Sequence, residues 1–344
     1  MESLSGLALL RSASADRPAA DEAAAASAIA TGHEVNQGRI SVGANGTALP
    51  TLLQKAAARG RSIGLITNGR LSSPSLAAFY APGADARNAD QLTAILIDQV
   101  RPEVILAGGS SELLPEVKGG QRRDGRDLML TARQSGYDIV RNRQELLNTP
   151  IWRAPQVLGL FASGDLSFAG RLGAAGPEPS LAEMVRQAIQ LLQFNRKGYF
   201  LVVDAALVGR AAVANDGETL LRELLELDHA VATAIQYAGE NLLLAVCGTT
   251  NPGGFQLNCN GFREDSGFAI LGRASDGVPA VTWSTGTGGQ GAGTGEPLEP
   301  VAFTTTIPAQ IVTDMLGLSH GKTAALLTGF RRQRDVFLLL DNGL

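Results

Sequence analysis

Asp21 and Glu22 open the stretch DEAAAASAIATG, and this carboxylate pair ahead of an alanine run is the first feature that could do chemistry. Aspartate is a preferred helix N-cap, and negative charge is favoured in a first turn by the free N–H groups and the macrodipole. A helix is therefore predicted to start at these residues and to end at Gly32. Carboxylates so placed could bind a hard cation together with others, or act as acid or base where crowding raises a pKa. Other reactive types are sparse. The three histidines, His33, His229 and His320, form no HxH, HxxxH or HxxE pattern, so each reads as an exposed side chain and not a ligand. Cys247 and Cys259 make no CxxC and read as small buried hydrophobes. Gly286, Gly288 and Gly291 satisfy GxGxxG after PAVTWS, yet glycines and Pro297 follow where a helix N-terminus would have to receive a pyrophosphate. GLSHGKT, residues 317–323, is one residue short of the Walker A spacing and reads as a helix C-cap at Gly317 followed by a turn.

The elements that must position these residues follow from periodicity. Leucine-rich and β-branched strands (SIGLITN, PEVILAGG, YDIVR, YFLVVDAAL, NLLLAVCG, FAILGR, PAVTWS) alternate with amphipathic stretches such as LPTLLQKAAARG, NADQLTAILIDQV, SLAEMVRQAIQLLQF and DGETLLRELLELDHAVATAIQYAG. Such alternation implies crossover connections, hence an α/β fold whose mostly parallel sheet carries helices on both faces. Ligands then belong at the carboxyl ends of the strands. With 344 residues, 44% of them hydrophobic, the chain can bury a large core. A net charge of −4 leaves no basic footprint for nucleic acid. No apolar run of about eighteen residues exists to cross a membrane. The start MESLSGLALLRSASA carries Glu2 where a signal peptide needs positive charge, which favours a cytoplasmic location.

The order of several segments resembles the alkaline phosphatases. DEAAAASAIATG, LPTLLQKAAARGRSIGLITNGRLSSPSLAAFYA, RPEVILAGG, DGRDLMLTARQSGYDIVRNRQELLN, SLAEMVRQAIQLL, GYFLVVDAALVGRAAVANDGETLLRELLELDHAVATAI and NLLLAVCGTTNPGGF follow that family's pattern over most of residues 14–316. The resemblance implies a three-layer sandwich in a single domain over 1–344, a zinc- and magnesium-dependent phosphomonoesterase ancestry, and a homodimer. At the site positions the chain departs from the pattern. The first segment resembles DSAASATAMATG, in which the serine is the phosphorylated nucleophile. Asp21 matches its aspartate, a metal ligand in the family, but Glu22 stands in the serine's place. Ser73 and Ser75 stand where TDATPAA holds magnesium, and Asp204 stands at the acidic ligand of VEGGRIDHAAHAN. Gly209 and Val213 replace the zinc-binding residues of that segment, Thr249 and Thr250 the TADH pair, and Gly293 or Gln290 the GGHTG histidine. Arg87 lies close to the family's phosphate-clamping arginine and could hold a phosphate, sulfate or carboxylate anion.

DVFLLLDNGL near the C-terminus resembles the family's opening strand NVILFIGDGMG, with Asn342 at its metal-binding aspartate. A circular permutation is therefore expected, with PAQIVTDMLGL helical and residues 333–344 forming a central strand of the sheet. The expected function is that of a phosphatase scaffold with zinc and magnesium lost, a pseudoenzyme with a binding or assembly role and a protein partner. Two alternatives stand beside it: an altered metal site built on Asp21, Glu22 and Asp204, and a working zinc phosphatase with an unusual site.

Overall fold

Leu65 and Ile66 are both fully buried, and they point to opposite sides of one strand into two different cores. That two-sided burial sets the architecture. The computed structural model describes residues 1, 4–152, 156–171, 176–258, 278–290 and 297–344. In chain order the elements are β1 (Gly6–Arg11), α1 (Glu22–Thr31), α2 (Leu52–Ala58), β2 (Ser62–Arg70), α3 (Pro74–Tyr80), α4 (Ala89–Ala94), β3 (Val104–Gly108), α5 (Leu128–Gln134), β4 (Asp138–Val140), α6 (Arg143–Leu147) and β5 (Val157–Leu160). They continue with α7 (Leu181–Leu192), β6 (Tyr199–Asp204), α8 (Ala206–Val213), α9 (Gly217–Tyr237), β7 (Leu244–Cys247), β8 (Phe255–Leu257), β9 (Val281–Gly286), β10 (Gly289–Gln290), β11 (Pro297–Glu299), β12 (Val301–Thr304), β13 (Asp314–His320), β14 (Gly329–Arg332) and α10 (Asp335–Gly343).

The central sheet runs β4-β5-β3-β2-β6, and every pairing in it is parallel. Ile63, Leu65, Ile105 and Leu158 face a core built with α1, α2, α3 and α10, while Ile66, Val104, Leu106 and Val157 face one built with α7 and Ala230 of α9. The expected three-layer α/β sandwich is thus observed. α7 starts on a full capping box, in which the Ser180 hydroxyl accepts from Glu183 N and the Glu183 carboxylate accepts from Ser180 N. A second sheet runs β14-β1-β13-β7, and Ala8 and Leu10 of β1 enter the same core as Leu65. A smaller sheet, β12-β9-β8, closes over Trp283.

Three expectations near the C-terminus need correction. PAQIVTDMLGL is not a helix: β13 covers Asp314–His320 and pairs antiparallel with both β1 and β7. Gly317 is not a C-cap but a mid-strand residue, where an added Cβ would meet Leu10 Cδ1 at 2.7 Å. Nor do residues 333–344 supply a central strand, because Asp335–Gly343 form α10 outside both sheets. An apolar run such as VFLLL fits strand and helix alike until its neighbours decide. Here Val336 and Leu339, one helical turn apart, are both buried, Lys55 pairs with Asp341 at 2.8 Å, and Arg61 donates to the Gly343 and Leu344 carbonyls. The segment FAILGR lies outside the described residues.

Candidate functional site

Asp21 is the N-cap of α1, as its sequence context predicts. Its Oδ1 accepts from Ala24 N at 2.9 Å and its Oδ2 accepts from Gly38 N at 2.7 Å, so both oxygens are committed to backbone donors. Nine of the ten residues of α1 are buried, which their small size permits against α3 and α10. At the other end Gly32 takes φ 76° and donates to Ala28 O, and the Phe337 ring lies where a Cβ would go.

Glu22, in the first turn of α1, meets the carboxyl end of the parallel sheet. The β2–β6 register sets Thr67 beside Asp204. Thr67 Oγ1 donates to Asp204 Oδ2 at 3.0 Å, and Gly69 N donates to Thr67 Oγ1 at 2.9 Å. Ser73, the N-cap of α3 ahead of Pro74, brings its hydroxyl between the two acids. Its Oγ lies 3.1 Å from Glu22 Oε1, 3.0 Å from Asp204 Oδ2 and 2.8 Å from Ser75 Oγ. A hydroxyl carries one proton, so Ser73 can donate to only one of the two carboxylates at a time. Burial, and then the Glu22 charge, push the Asp204 carboxyl up to about 6, while the Ser75, Ser73 and Thr67 hydroxyls pull it back. Asp204 therefore keeps its proton to a higher pH than a free aspartate does.

Of the residues picked from the sequence, Glu22, Ser73, Ser75 and Asp204 come together here. Asp21 is used as a cap. Arg87 is exposed, with its backbone N–H on Asp85 Oδ1, and Asn342 is exposed on α10, so neither joins the cluster. The Thr249 carbonyl accepts from Ser12 Oγ and Gln333 Nε2 beyond β7. His33 and His229 are exposed and His320 ends β13, so the three do not converge. Gly209 and Val213 lie on α8, and Gly293 lies outside the described residues.

Sequence reasoning passed over Thr67, whose only signal was its place at the end of a strand. It also passed over Arg70, Asp165 and Arg210. Arg70 Nε is 3.6 Å and Arg210 Nε 3.2 Å from the Asp165 carboxylate, tying the loop after β5 to β2 and α8.

The metals implied by the resemblance can be tested against these donors. Zinc takes about four N, S or O ligands in a closed set. Among the described residues no group of three or more His, Cys, Asp or Glu side chains gathers to hold an ion, so a zinc set does not fit. Magnesium asks for one or two carboxylates and otherwise neutral oxygen, and Glu22, Asp204 and the Ser73 hydroxyl are of that chemistry.

An α/β sandwich with a polar cluster at the carboxyl ends of its parallel strands is a common enzyme architecture. The comparisons place this one. The model of the alkaline phosphatase family matches residues 1–265, and the chain belongs to that family. Alkaline phosphatase 4 of Bacillus subtilis is 31% identical over 268 residues, covering 76% of this chain and 55% of that protein. Alkaline phosphatase H of Pseudomonas aeruginosa is 27% identical over 370 residues, covering 94% of this chain and 73% of that protein. The chain spans about half the length of alkaline phosphatases 4 and 3 of B. subtilis, at 55% and 51%. In fold, the Thermus thermophilus alkaline phosphatase superposes with a TM-score of 0.80 at 19% identity, over 98% of this chain and 82% of that one.

Proposed function

We propose that this chain is an alkaline-phosphatase scaffold without zinc-dependent phosphomonoesterase activity, retained for binding or assembly with a protein partner. The observation that carries the reading is the Glu22–Ser73–Asp204 contact, in which one hydroxyl lies within 3.1 Å of two carboxylates. A carboxylate can be a phosphoryl acceptor where cations draw the phosphate in. Beside Glu22 stand a second acid and two serines, and a dianionic ester approaching them meets charge of its own sign. Arg87, the group expected to offset that repulsion, is not among the cluster's contacts.

A second reading is favoured by the all-oxygen donor set: a site for one hard cation. Glu22 and Asp204, with Ser73, would hold magnesium, which would neutralise the acid pair and act as a Lewis acid toward an ester oxygen. In either reading Thr67 and Ser75 orient Asp204, and the N-cap at Asp21 fixes the start of α1.

Hydrolysis of p-nitrophenyl phosphate by protein loaded with zinc and magnesium, beside a chelator-stripped control, tests both. The first reading expects no metal-dependent turnover, and turnover that follows zinc would overturn it. Turnover that follows magnesium, with magnesium binding lost in Glu22→Ala, would replace it by the second.

A further inference from the structure

β6 and β7 are edge strands of different sheets, and they border one seam. Among the described residues β6 pairs only with β2, and β7 only with β13. α9 lies over the line between them. Its Ala230 belongs to the core on which Tyr199, Leu201 and Val203 of β6 pack, its next residue Val231 belongs to the cluster with Leu244 and Val246 of β7, and Leu227 packs against both. On the opposite face Phe200 and Val202 of β6 and Ala245 and Cys247 of β7 pack on one core, which Val336 and Leu339 of α10 complete. Helices thus cover both faces of the seam, while the two strand edges that border it carry backbone N–H and C=O groups without a ladder partner among the described residues.

Burial follows the same line. YFLVVD of β6 and LAVC of β7 are as apolar as VILAG of β3, yet every residue of β3 is buried and none of β6 or β7 is. One residue on each side reports how narrow the opening is. Cys247 and Asp204 are both half-exposed, although burial pushes the Cys247 thiol up to about 12 and the Asp204 carboxyl up to about 6. A side chain crowded by protein atoms that still touches solvent lies in a cleft and not on an open face.

Strand spacing and backbone chemistry say what fits. A strand seated between two others holds them about 10 Å apart, twice the spacing of about 4.8 Å, and that is the width of the single helix that covers both edges. Only an extended segment pairs with two rows of backbone groups at once, since a helix spends its own groups internally. A strand covered by helices on both faces is apolar on both. We propose that the seam between β6 and β7 is the docking site for one extended apolar segment of a partner polypeptide, matching the six residues of β6, which pairs with both edges and joins the two sheets. The described chain has no strand to spare, because all fourteen of its strands already sit in the four sheets. A second copy would bring a whole sheet edge with its covering layers, and α9 and α10 close the seam to anything thicker than a lone strand. The proposal rests on the partner role read above and names the chemistry of that partner.

Hydrogen exchange read by mass spectrometry on the full chain tests it, with an acetylated peptide of six valines and isoleucines between lysine-bearing ends as the probe. In the chain alone, the amides of residues 199–204 and 244–247 are expected to exchange at least tenfold faster than those of 62–69. The peptide should slow both segments together at least tenfold and raise Tm. The same peptide N-methylated at two adjacent central residues, whose N–H groups point to opposite sides, should do neither. Three results overturn the proposal. Edges as protected as β2 in the chain alone mean that the seam is already closed, by a second copy if light scattering gives a dimer and by the chain itself if it gives a monomer. Protection of one segment without the other means that the two edges do not share a strand. Equal action of the methylated peptide means an apolar surface without backbone pairing. Phosphatase turnover, present or absent, leaves these readouts untouched, so the failure of either reading is separable from the other.

Discussion

On β2 every residue from Ser62 to Gly69 is buried, whereas β1 alternates buried and exposed along its length, so that Leu9 and Leu10 are neighbours in sequence and opposites in environment. Both strands are apolar. The difference lies in what covers them: helices on both faces of the parallel sheet, and a helix over only part of the second sheet's outer face. Two-sided cover brings a strand's end against the Thr67, Ser73 and Ser75 hydroxyls, which share the half-buried Asp204 carboxylate. One-sided cover leaves leucines facing water, with arginines at their border.

Truncating both neighbours tests the contrast most strongly. Leu10→Ala should lose about 2–5 kcal/mol in urea denaturation, and Leu9→Ala no more than about 0.5 kcal/mol. Similar losses at the two positions would mean that the outer face is covered in solution. Next comes the half-buried Asp204. Asp204 carries a pKa of about 6 in the folded protein against 3.8 when free, so its contribution is fully present below about pH 4 and is lost as pH rises through about 6. With chelator present, stability should fall over that window by at most about 3 kcal/mol, and Asp204→Asn should flatten the fall. A slope that survives Asp204→Asn places the titration elsewhere. Ser73→Ala removes the hydroxyl between the two acids and should cost about 1–3 kcal/mol, with a cost near zero showing that water replaces it. The smallest effect is expected at Asp21→Ala, about 1 kcal/mol from the lost N-cap of α1, read from the denaturation midpoint. An unchanged midpoint there would mean that neither the Ala24 nor the Gly38 bond contributes net stability.

How much of this was legible can be judged residue by residue. The N-cap at Asp21, the strand SIGLITN, α7 behind SLAEM and the length of α9 follow from short-range rules, because caps and amphipathic periods act within a turn or two. Glu22, Ser73, Ser75 and Asp204 were assembled by resemblance and not by spacing, and the structure does bring those four together. Thr67 carried no pattern of its own. Arg87 and Asn342 were placed near the site by alignment, yet one is exposed beside Asp85 and the other on α10. PAQIVTDMLGL was read as a helix from the family resemblance, whereas VFLLLDNGL was read as a strand because its short apolar run suits a strand or a helix alike.

By itself the sequence determined the local alternation of helix and strand, the parallel α/β class and the acidic start of α1, since each depends on residues a few positions apart. Only the tertiary structure decided that one serine hydroxyl lies between acids 182 residues apart in the chain (204 − 22), that the final segment coils against Lys55 and Arg61, and that the leucines of β1 face water. Those outcomes depend on which surfaces remain to be covered after the core is filled, and a local pattern carries no information about its distant neighbours.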